Sequence, residues 1–227
     1  MLAESFLRLK TLIGEKSIKN LERERILIFG VGGVGGNVAA FLARSSFLNI
    51  DLVDGDVFSF SNINRQIGAT TKTIGKQKCL VLKQMIEDIN PCCSVKTYNF
   101  FYSKGTENLI DFSKYSYIVD AIDDLEAKVL IIKNAKQNNI KIISSMGAGN
   151  KLNPTGAVVE DIYKTSYCPL ARALRKRLKE EGIKSLKVVY SKEQPLKVDE
   201  NFVGSCSFVP AAFGNLIAFT VFKDVIM

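Results

Sequence analysis

The chain has 227 residues, of which 47% are hydrophobic, and this length and composition suffice for the core of one domain. It contains no histidine, which excludes Ser-His and Cys-His catalysis and histidine-ligated metals. Five cysteines in a sequence with no secretory signal favour reduced thiols, and because they form no CxxC pair we expect no zinc site built on paired cysteines. The net charge of +8 is compatible with an anionic partner but does not require one.

Neither end of the chain carries a pattern that predicts membrane association. No N-terminal segment has the charged, apolar and small-residue order of a signal peptide. The longest apolar run, FVPAAFGNLIAFTVF at 208–222, is shorter than a spanning helix and contains Pro210, Gly214 and Asn215. We therefore expect a buried core helix at this position and a cytoplasmic protein.

Strands and helices alternate along the first part of the chain. A helical arm (1–24) precedes a short buried strand at 26–29, and a helix follows with an apolar face of Val34, Val38, Phe41 and Leu42. A second strand at 50–53 leads to a helix at 76–89 that ends at Asn90-Pro91. A strand at 117–119 runs into DAIDD, and a helix and a strand at 140–144 follow. This order predicts an α/β fold with a doubly wound, Rossmann-like, mainly parallel sheet.

The pattern changes after Gly147. The turn-rich GAGNKLNPTG is followed by two strand-like segments, AVVEDI and KVVYS, that need not be parallel. We therefore predict an antiparallel extension in the C-terminal half. The whole chain is predicted to be one domain, with an arm at 1–24, a nucleotide-binding core at 25–150, and a substrate-side extension with a C-terminal helix at 151–227.

A glycine-rich turn follows the first predicted strand. Gly30, Gly32 and Gly35 satisfy G-x-G-x-x-G, with Gly33 inside the motif, and the motif opens a helix. Glycines let the backbone approach phosphate oxygens, and the helix N-terminus supplies unpaired N–H donors. Asp54 ends the second strand, where a carboxylate can accept hydrogen bonds from ribose hydroxyls, so this part of the pattern suits NAD and ATP equally.

The segment after the second strand distinguishes ATP from NAD as the expected ligand. DGDVFSFSNINRQ and the following GKQK contain the nucleotide-binding candidates Asp56, Asn62, Arg65, Gln66 and Lys78. Hydride transfer has no use for cations directed at phosphate, whereas Arg65 and Lys78 can neutralise a triphosphate. Asp123, at the end of a later strand, offers carboxylate oxygens that suit Mg²⁺. Together these residues favour phosphoryl or nucleotidyl transfer.

The motifs GVGGVGG, DLVDGDVFSFSNINRQ, GKQK and DAIDD resemble the adenylating domain of the ubiquitin-activating-enzyme (ThiF) superfamily. The resemblance implies transfer of AMP from ATP to a carboxylate. Asp54 would then hold the ribose, Asn62, Arg65, Gln66 and Lys78 would surround the phosphates, and Asp123 would bind Mg²⁺. It also implies a homodimer in which an N-terminal arginine reaches the partner's ATP, and Arg8 is the candidate for this residue.

Four later segments, SSMGAGNKLNPTG, DIYKTSYCPLARALRKRLKEEGI, LKVVYS and GSCSFVP, resemble the tRNA threonylcarbamoyladenosine dehydratase branch of this superfamily. The implied reaction activates a threonine carboxylate as an acyl adenylate, which a neighbouring urea group attacks to expel AMP and leave a cyclic product. This closure needs no histidine, because AMP is a good leaving group and the nucleophile is tethered. The chain has Cys168 where members of the branch often carry an acidic residue before PLAR, so that acid's role has no counterpart here.

The helix predicted at 169–180 is the candidate for contact with tRNA. Its apolar residues Ala171, Leu174 and Leu178 share one face, and another face carries Arg172, Arg175, Lys176 and Lys179. Such a helix can pack on one side and contact phosphates on the other. A solvated charged face is the alternative, because Glu180 and Glu181 dilute the positive charge.

Two other functions stay open at this point. The first is an adenylyltransferase that activates the C-terminus of a small sulfur-carrier protein. A sulfur-transfer protein is a candidate partner. The second is an NAD-binding oxidoreductase or a catalytically silent nucleotide-binding module. Cys206 is a candidate thioester nucleophile by analogy with other members of the superfamily, although a cysteine in an apolar segment is more often a small core residue.

Overall fold

The computed structural model describes residues 2–197 and 202–227. Seven strands form one sheet in the order β3-β2-β1-β4-β5-β7-β6. The strands are β1 (Arg25–Phe29), β2 (Asn49–Val53), β3 (Thr97–Tyr98), β4 (Tyr117–Asp120), β5 (Lys141–Ser145), β6 (Ala157–Asp161) and β7 (Lys187–Ser191). All neighbouring strands are parallel except β6 and β7, which are antiparallel. The predicted mainly parallel sheet with an antiparallel C-terminal extension is therefore confirmed.

Helices cover both faces of this sheet. They are α1 (Leu2–Ser5), α2 (Leu7–Arg23), α3 (Gly35–Ala43), α4 (Lys78–Ile89), α5 (Leu125–Gln137), α6 (Pro169–Glu180) and α7 (Phe208–Ile226). Helices α2, α3, α4 and α7 contribute to the core on one face, and α5 and α6 to the core on the other. Because β1 has β2 on one side and β4 on the other, the strand order reverses at β1, and a ligand crevice is expected at the carboxyl ends of these strands.

Helix α3 differs from the prediction in the way it is buried. Phe41, which we placed on its apolar face, is 37% exposed, whereas Gly36, Asn37 and Ala40 are buried although the predicted face omits them. The reason is that α3 contacts β1 and β2 on one side and the helices α4 and α7 on others. Most of the helix surface is therefore covered, and small side chains fill the contacts.

Helix α7 is a core helix, as predicted. By length and composition alone it is apolar enough to cross a membrane, but Val209, Phe213, Ile217 and Val221 are buried in the core beneath the sheet. At Gly214 the helix comes so close to α3 that a Cβ atom would lie 2.6 Å from the Cβ of Asn37. Only glycine permits this separation of the two helices.

Helix α4 begins at Lys78, two residues later than the prediction of 76–89, and ends at Ile89 as expected, with Asn90 as its C-cap. The backbone before it is used elsewhere: Gln77 forms an antiparallel bridge with Val57, and the N–H of Lys78 donates to the carbonyl of Asp56 at 3.0 Å. The segment 54–58 is thereby fixed against the start of α4. Segments 25–150 and 151–227 share one sheet, and their division from the arm at 1–24 stays a prediction.

Candidate active site

A cavity of about 810 Å³ lies at the carboxyl ends of the central strands. It collects most of the residues that the sequence nominated for nucleotide binding and catalysis. Those that line it are Gly30, Gly32, Gly33, Asp54, Asp56, Arg65, Gln66, Lys78 and Asp123. Gly35, Asn62 and Arg8 do not line it. The volume is within the range usual for sites that bind small molecules and cofactors.

The glycine-rich turn forms one wall of the cavity. Gly30 has a φ of +78°, and a Cβ atom there would lie 2.8 Å from both the carbonyl oxygen of Ala121 and the Cγ2 of Ile122. Gly35 begins α3, and its own Cβ would lie 1.8 Å from the carbonyl oxygen of Gly30. The turn therefore folds tightly against the start of α3 and against the connection that follows β4. This arrangement leaves the N-terminus of α3 facing the cavity.

Asp54 is joined to this turn by its side chain. Its Oδ2 accepts a hydrogen bond from the N–H of Val31 at 2.9 Å, and its Oδ1 accepts one from the N–H of Asp56 at 2.9 Å. Each carboxylate oxygen has a second lone pair, so the group can still accept hydrogen bonds from a ligand hydroxyl. The carboxylate is therefore fixed in position at the edge of the cavity.

Lys78 and Asp56 form an ion pair at the cavity wall. The Nζ of Lys78 lies 2.6 Å from the Oδ2 of Asp56, and the lysine side chain is only 7% exposed. Burial acts to raise the pKa of the Asp56 carboxyl, but the hydrogen bond and the charge of Lys78 outweigh it, and the pKa is lowered. An ammonium group has three donors, so Lys78 can contact Asp56 and an anionic ligand together.

Arg65 and Gln66 complete the polar side of the cavity. The Nη1 of Arg65 donates to the carbonyl of Ser61 at 2.7 Å and to the Oδ1 of Asn64 at 2.9 Å, and both bonds use a single nitrogen. The Oε1 of Gln66 is buried and has no hydrogen-bond partner within the described part of the chain. A buried acceptor of this kind is costly unless a ligand or water supplies a donor.

Asn62 has a structural contact instead of a place in the cavity wall. It is buried, and its Oδ1 accepts a hydrogen bond from the N–H of Ser59 at 3.1 Å, which caps the 3-10 turn Phe60–Asn62. This turn leads directly into Arg65 and Gln66. Asn62 thus supports the segment that carries the two neighbouring candidates.

Asp123 and Asp124 are adjacent in the sequence but differ in what their carboxylates do. Both line the cavity, but Asp124 caps α5 by accepting a hydrogen bond from the N–H of Ala127 at 2.8 Å. Asp123 is exposed in the cavity. Within residues 2–197 and 202–227 no group of three or more acidic or cysteine side chains could enclose a metal. A single carboxylate fits Mg²⁺, which is usually held by one or two carboxylates together with substrate phosphates and water.

The sequence did not indicate that the segment after β3 would line the cavity, and it marked the segment 204–210 only through the resemblance of GSCSFVP. Phe100, Phe101 and Tyr102 line the cavity on one side, and Val203 and Pro210 on another. Several bonds hold the segment 202–206. The Nδ2 of Asn64 donates to the carbonyl of Ser205 at 2.9 Å, the N–H of Gly204 donates to the Oδ1 of Asn150 at 2.6 Å, and the N–H of Asn150 donates to the carbonyl of Gly204 at 2.7 Å. Phe100, Phe101, Tyr102 and Val203 lie outside every quoted motif, because their contribution is made by backbone and apolar surface.

The candidate RNA-binding helix, α6, has the predicted bounds, but its four cations are not equivalent. Arg172, Lys176 and Lys179 are exposed. Arg175 is directed into the protein, where its Nη1 donates to the carbonyl and to the hydroxyl of Thr165. The prediction that Arg175 shares the outer face is therefore wrong, because a polar turn below α6 supplies acceptors that its position in the sequence does not reveal.

The ThiF family model matches residues 6–226 of the chain. The chain belongs to the ThiF family. Among curated proteins, this ThiF-family chain is 38% identical to the tRNA threonylcarbamoyladenosine dehydratase of Bacillus subtilis (strain 168), over 86% of the chain and 78% of that protein. It is 34% identical to the dehydratase of Escherichia coli (strain K12), over 91% of the chain and 76% of that protein.

Solved structures of the Escherichia coli dehydratase are similar over almost the whole chain. The complex with AMP gives a TM-score of 0.93 at 31% identity and covers 99% of this chain and 94% of that chain. The complex with ATP gives a TM-score of 0.90 at 31% identity. An adenylyltransferase and sulfurtransferase of Saccharomyces cerevisiae (strain YJM789) is 32% identical, but over only 61% of this ThiF-family chain and 30% of that protein. The resemblance to the dehydratase branch is thus confirmed, and the sulfur-carrier branch is more distant.

Proposed function

We propose that this ThiF-family protein is an ATP-dependent dehydratase of threonylcarbamoyladenosine in tRNA. The observation that carries the proposal is a single cavity that combines a glycine-rich turn, a fixed carboxylate at Asp54, two cations at Arg65 and Lys78, and the exposed carboxylate of Asp123. This is the set of groups that a consumed nucleoside triphosphate needs, and a dinucleotide redox cofactor would leave the cations unused. The dehydratase relatives and their ATP and AMP complexes support the same substrate.

Each residue has a role that follows from its position. The glycine-rich turn and the N-terminus of α3 receive phosphate oxygens, and Asp54 accepts hydrogen bonds from the ribose. Arg65 and Lys78 neutralise the phosphates, and Gln66 accepts a donor from the nucleotide or its water. Asp123 holds Mg²⁺, which when bound offsets the negative charge of the phosphates.

The proposed reaction has two steps. A threonine carboxylate oxygen attacks the α-phosphorus of ATP, so that an acyl adenylate forms and pyrophosphate leaves. The urea group next to it then attacks the activated carbonyl carbon and loses a proton, and the bond to AMP breaks. The ring closure depends on proximity rather than on a protein base, and the absence of histidine is consistent with this.

The partners are proposed from surface positions. Arg8 lies on α2, is exposed and does not line the cavity of its own chain, so we assign it to the ATP of a second copy in a homodimer. The tRNA would be positioned by phosphate contacts with Arg172, Lys176 and Lys179 on α6, whose Leu170 lines the cavity. A cytoplasmic location follows from this substrate.

The test is one incubation of purified protein with ATP, Mg²⁺ and bulk bacterial tRNA, followed by digestion of the tRNA and mass measurement of its nucleosides. We expect threonylcarbamoyladenosine to lose the mass of water only when ATP is present. Reactions with NAD in place of ATP and with the Lys78→Met variant are the controls. An unchanged nucleoside together with carrier-dependent ATP–pyrophosphate exchange would assign the chain to sulfur-carrier activation instead, and NADH binding without ATP binding would favour a redox protein.

A further inference from the structure

A fully buried ion pair lies directly beneath the cavity. Asp120 at the end of β4 and Lys128 in α5 are both 0% exposed, and the lysine Nζ lies 2.9 Å from Oδ2 and 3.0 Å from Oδ1 of the aspartate. On the neighbouring strand β5, the hydroxyl of Ser144 donates to Oδ2 at 2.5 Å. Burying two charges removes their hydration, and such a pair is often no more stabilising than apolar residues of equal volume. Stability alone therefore does not account for it.

Lys128 makes the shorter of two contacts with the backbone of Ile122, whose N–H also donates to the Oδ1 of Asp120 at 3.4 Å. The Nζ of Lys128 donates to the carbonyl oxygen of Ile122 at 2.8 Å. Ile122 belongs to the connection between β4 and α5 and immediately precedes Asp123. The lysine therefore links a buried charge to the backbone of the loop that carries the exposed carboxylate.

The connection between β4 and α5 is fixed on both sides of Asp123. Ahead of it, the N–H of Ala121 donates to the carbonyl of Phe29 at 2.8 Å, and Lys128 binds the carbonyl of Ile122. Behind it, Asp124 caps α5 through the N–H of Ala127. Asp123 is thus held between two anchored neighbours, while its own side chain stays exposed in the cavity.

The same anchor supports the glycine-rich turn. The side chain of Ile122 fills the space where a Cβ of Gly30 would stand, at 2.8 Å from its Cγ2. Displacement of Ile122 would therefore separate the two loops that together form the wall of the cavity around the nucleotide phosphates.

We propose that Lys128 is a positioning residue that fixes the Ile122 carbonyl and thereby places Asp123 for binding of Mg²⁺ with ATP. The inference rests on the proposed function, since it takes ATP and Mg²⁺ as the ligands. Asp120 neutralises the charge of the Lys128 ammonium group, and the hydroxyl of Ser144 donates a further hydrogen bond to Asp120. The functional contact is the bond to the Ile122 carbonyl.

The experiment separates this bond from the ion pair. Lys128→Met leaves Asp120 buried and unpaired, so its Tm is expected to fall. The double variant Asp120→Asn, Lys128→Met removes both charges, and its Tm is expected to return most of the way to that of the parent protein. Ser144→Ala is the matched control, because it removes a hydrogen bond to Asp120 without touching Ile122.

The readout is ATP affinity by calorimetry over a series of Mg²⁺ concentrations, with no tRNA present. We expect the double variant to need about tenfold more Mg²⁺ than the parent protein for half-maximal ATP affinity, as does Asp123→Asn, because removing the support of a metal ligand typically costs 10- to 100-fold. Ser144→Ala should respond as the parent protein does. Adding Asp123→Asn to the double variant should cause no further loss, because the two changes remove the same contribution.

A double variant with restored Tm and the Mg²⁺ response of the parent protein would overturn the proposal, and so would additive losses with Asp123→Asn. Failure of the proposed function would look different. In that case the parent protein would bind ATP with Mg²⁺ normally and leave threonylcarbamoyladenosine unchanged, and the comparison among these variants would still decide the role of Lys128.

Discussion

The ammonium group of Lys78 lies 2.6 Å from the carboxylate of Asp56, and both residues face the same cavity. The pair keeps a mostly buried cation in one place before any anion arrives. A cation fixed in this way stabilises charge that develops on phosphate without first having to be reoriented.

We expect Lys78→Met to reduce the rate of adenylation by about 10²–10³-fold, the usual cost of losing one fixed group that stabilises charge in the transition state. The matched control is Lys83→Met on the same helix, because Lys83 contacts Glu87 and the carbonyl of Val95 and does not line the cavity. AMP formation in the presence of tRNA is the measurement. Equal rates of AMP formation in the Lys78→Met and Lys83→Met variants would show that Lys78 does not contribute to adenylation.

Variants of Asp123, Arg65 and Asp124 allow a comparison of residues assigned to ATP with a residue assigned to helix capping. Asp123→Ala is expected to abolish adenylation in a protein with unchanged Tm, and Arg65→Ala to do the same because the phosphates lose a cation. Asp124→Ala should instead lose a helix cap, at about 1 kcal/mol of folding stability, and retain ATP binding. Thermal unfolding and ATP titration of the three variants test this, and parent-like rates in Asp123→Ala or Arg65→Ala would contradict the site assignment.

The assignment of Arg8 to a partner's site can be tested by mixing two inactive variants. In a homodimer, a chain with Arg8→Ala and intact Lys78 would receive Arg8 from a partner that carries Lys78→Met. Random reassortment of equal amounts should restore about a quarter of the parent activity, because half of the dimers are mixed and each contains one complete site. No recovery after proven subunit exchange would show that Arg8 does not act across the dimer.

The exposed cations of α6 should contribute to tRNA binding and have no effect on ATP binding. Substituting Arg172, Lys176 and Lys179 with glutamine should raise KM for tRNA and reduce the slope of log affinity against log salt by about 1 for each phosphate that is no longer neutralised. Arg175→Gln should lower Tm because it loses its bonds to Thr165. An unchanged salt slope in the triple variant would mean that this face of α6 is only solvated.

Cys206 should be dispensable. Its thiol is half-buried, contacts the carbonyl of Lys151 at 3.6 Å and does not line the cavity. Cys206→Ala is therefore expected to keep most of the dehydration activity. Normal AMP formation with no cyclised nucleoside would be evidence for a thioester step.

Features that are determined by residues close together in the sequence were predicted correctly. The glycine-rich turn, Asp54 at the end of β2, and the bounds of α6 and β7 follow from local pattern and turn chemistry, and the structure has them where they were expected. The apolar face of α3 was wrong at Phe41, because periodicity describes a helix with one covered side and α3 is covered on several.

Contacts between distant segments were not predictable in the same way. Asp120 and Lys128 look like the end of a strand and an ordinary charge in a helix. The folded position of Ile122 adds a backbone acceptor to the carboxylate acceptors that Asp120 gives the lysine. Likewise, Arg175 is directed inwards because a turn around Thr165 offers oxygen atoms. In both cases the deciding partner is a backbone carbonyl, which every residue possesses and no motif marks.

The contribution of Pro210 and Gly214 to the first nucleotide-binding elements has a consequence for synthesis on the ribosome. Pro210 lines the cavity whose glycine-rich turn was made near the beginning of the chain, and Gly214 sets the spacing between α7 and α3. A nascent chain that has not yet released α7 from the exit tunnel therefore has an unfinished cavity. ATP can favour folding only by binding a form whose cavity is complete, so it can stabilise the chain only after α7 has packed against α3.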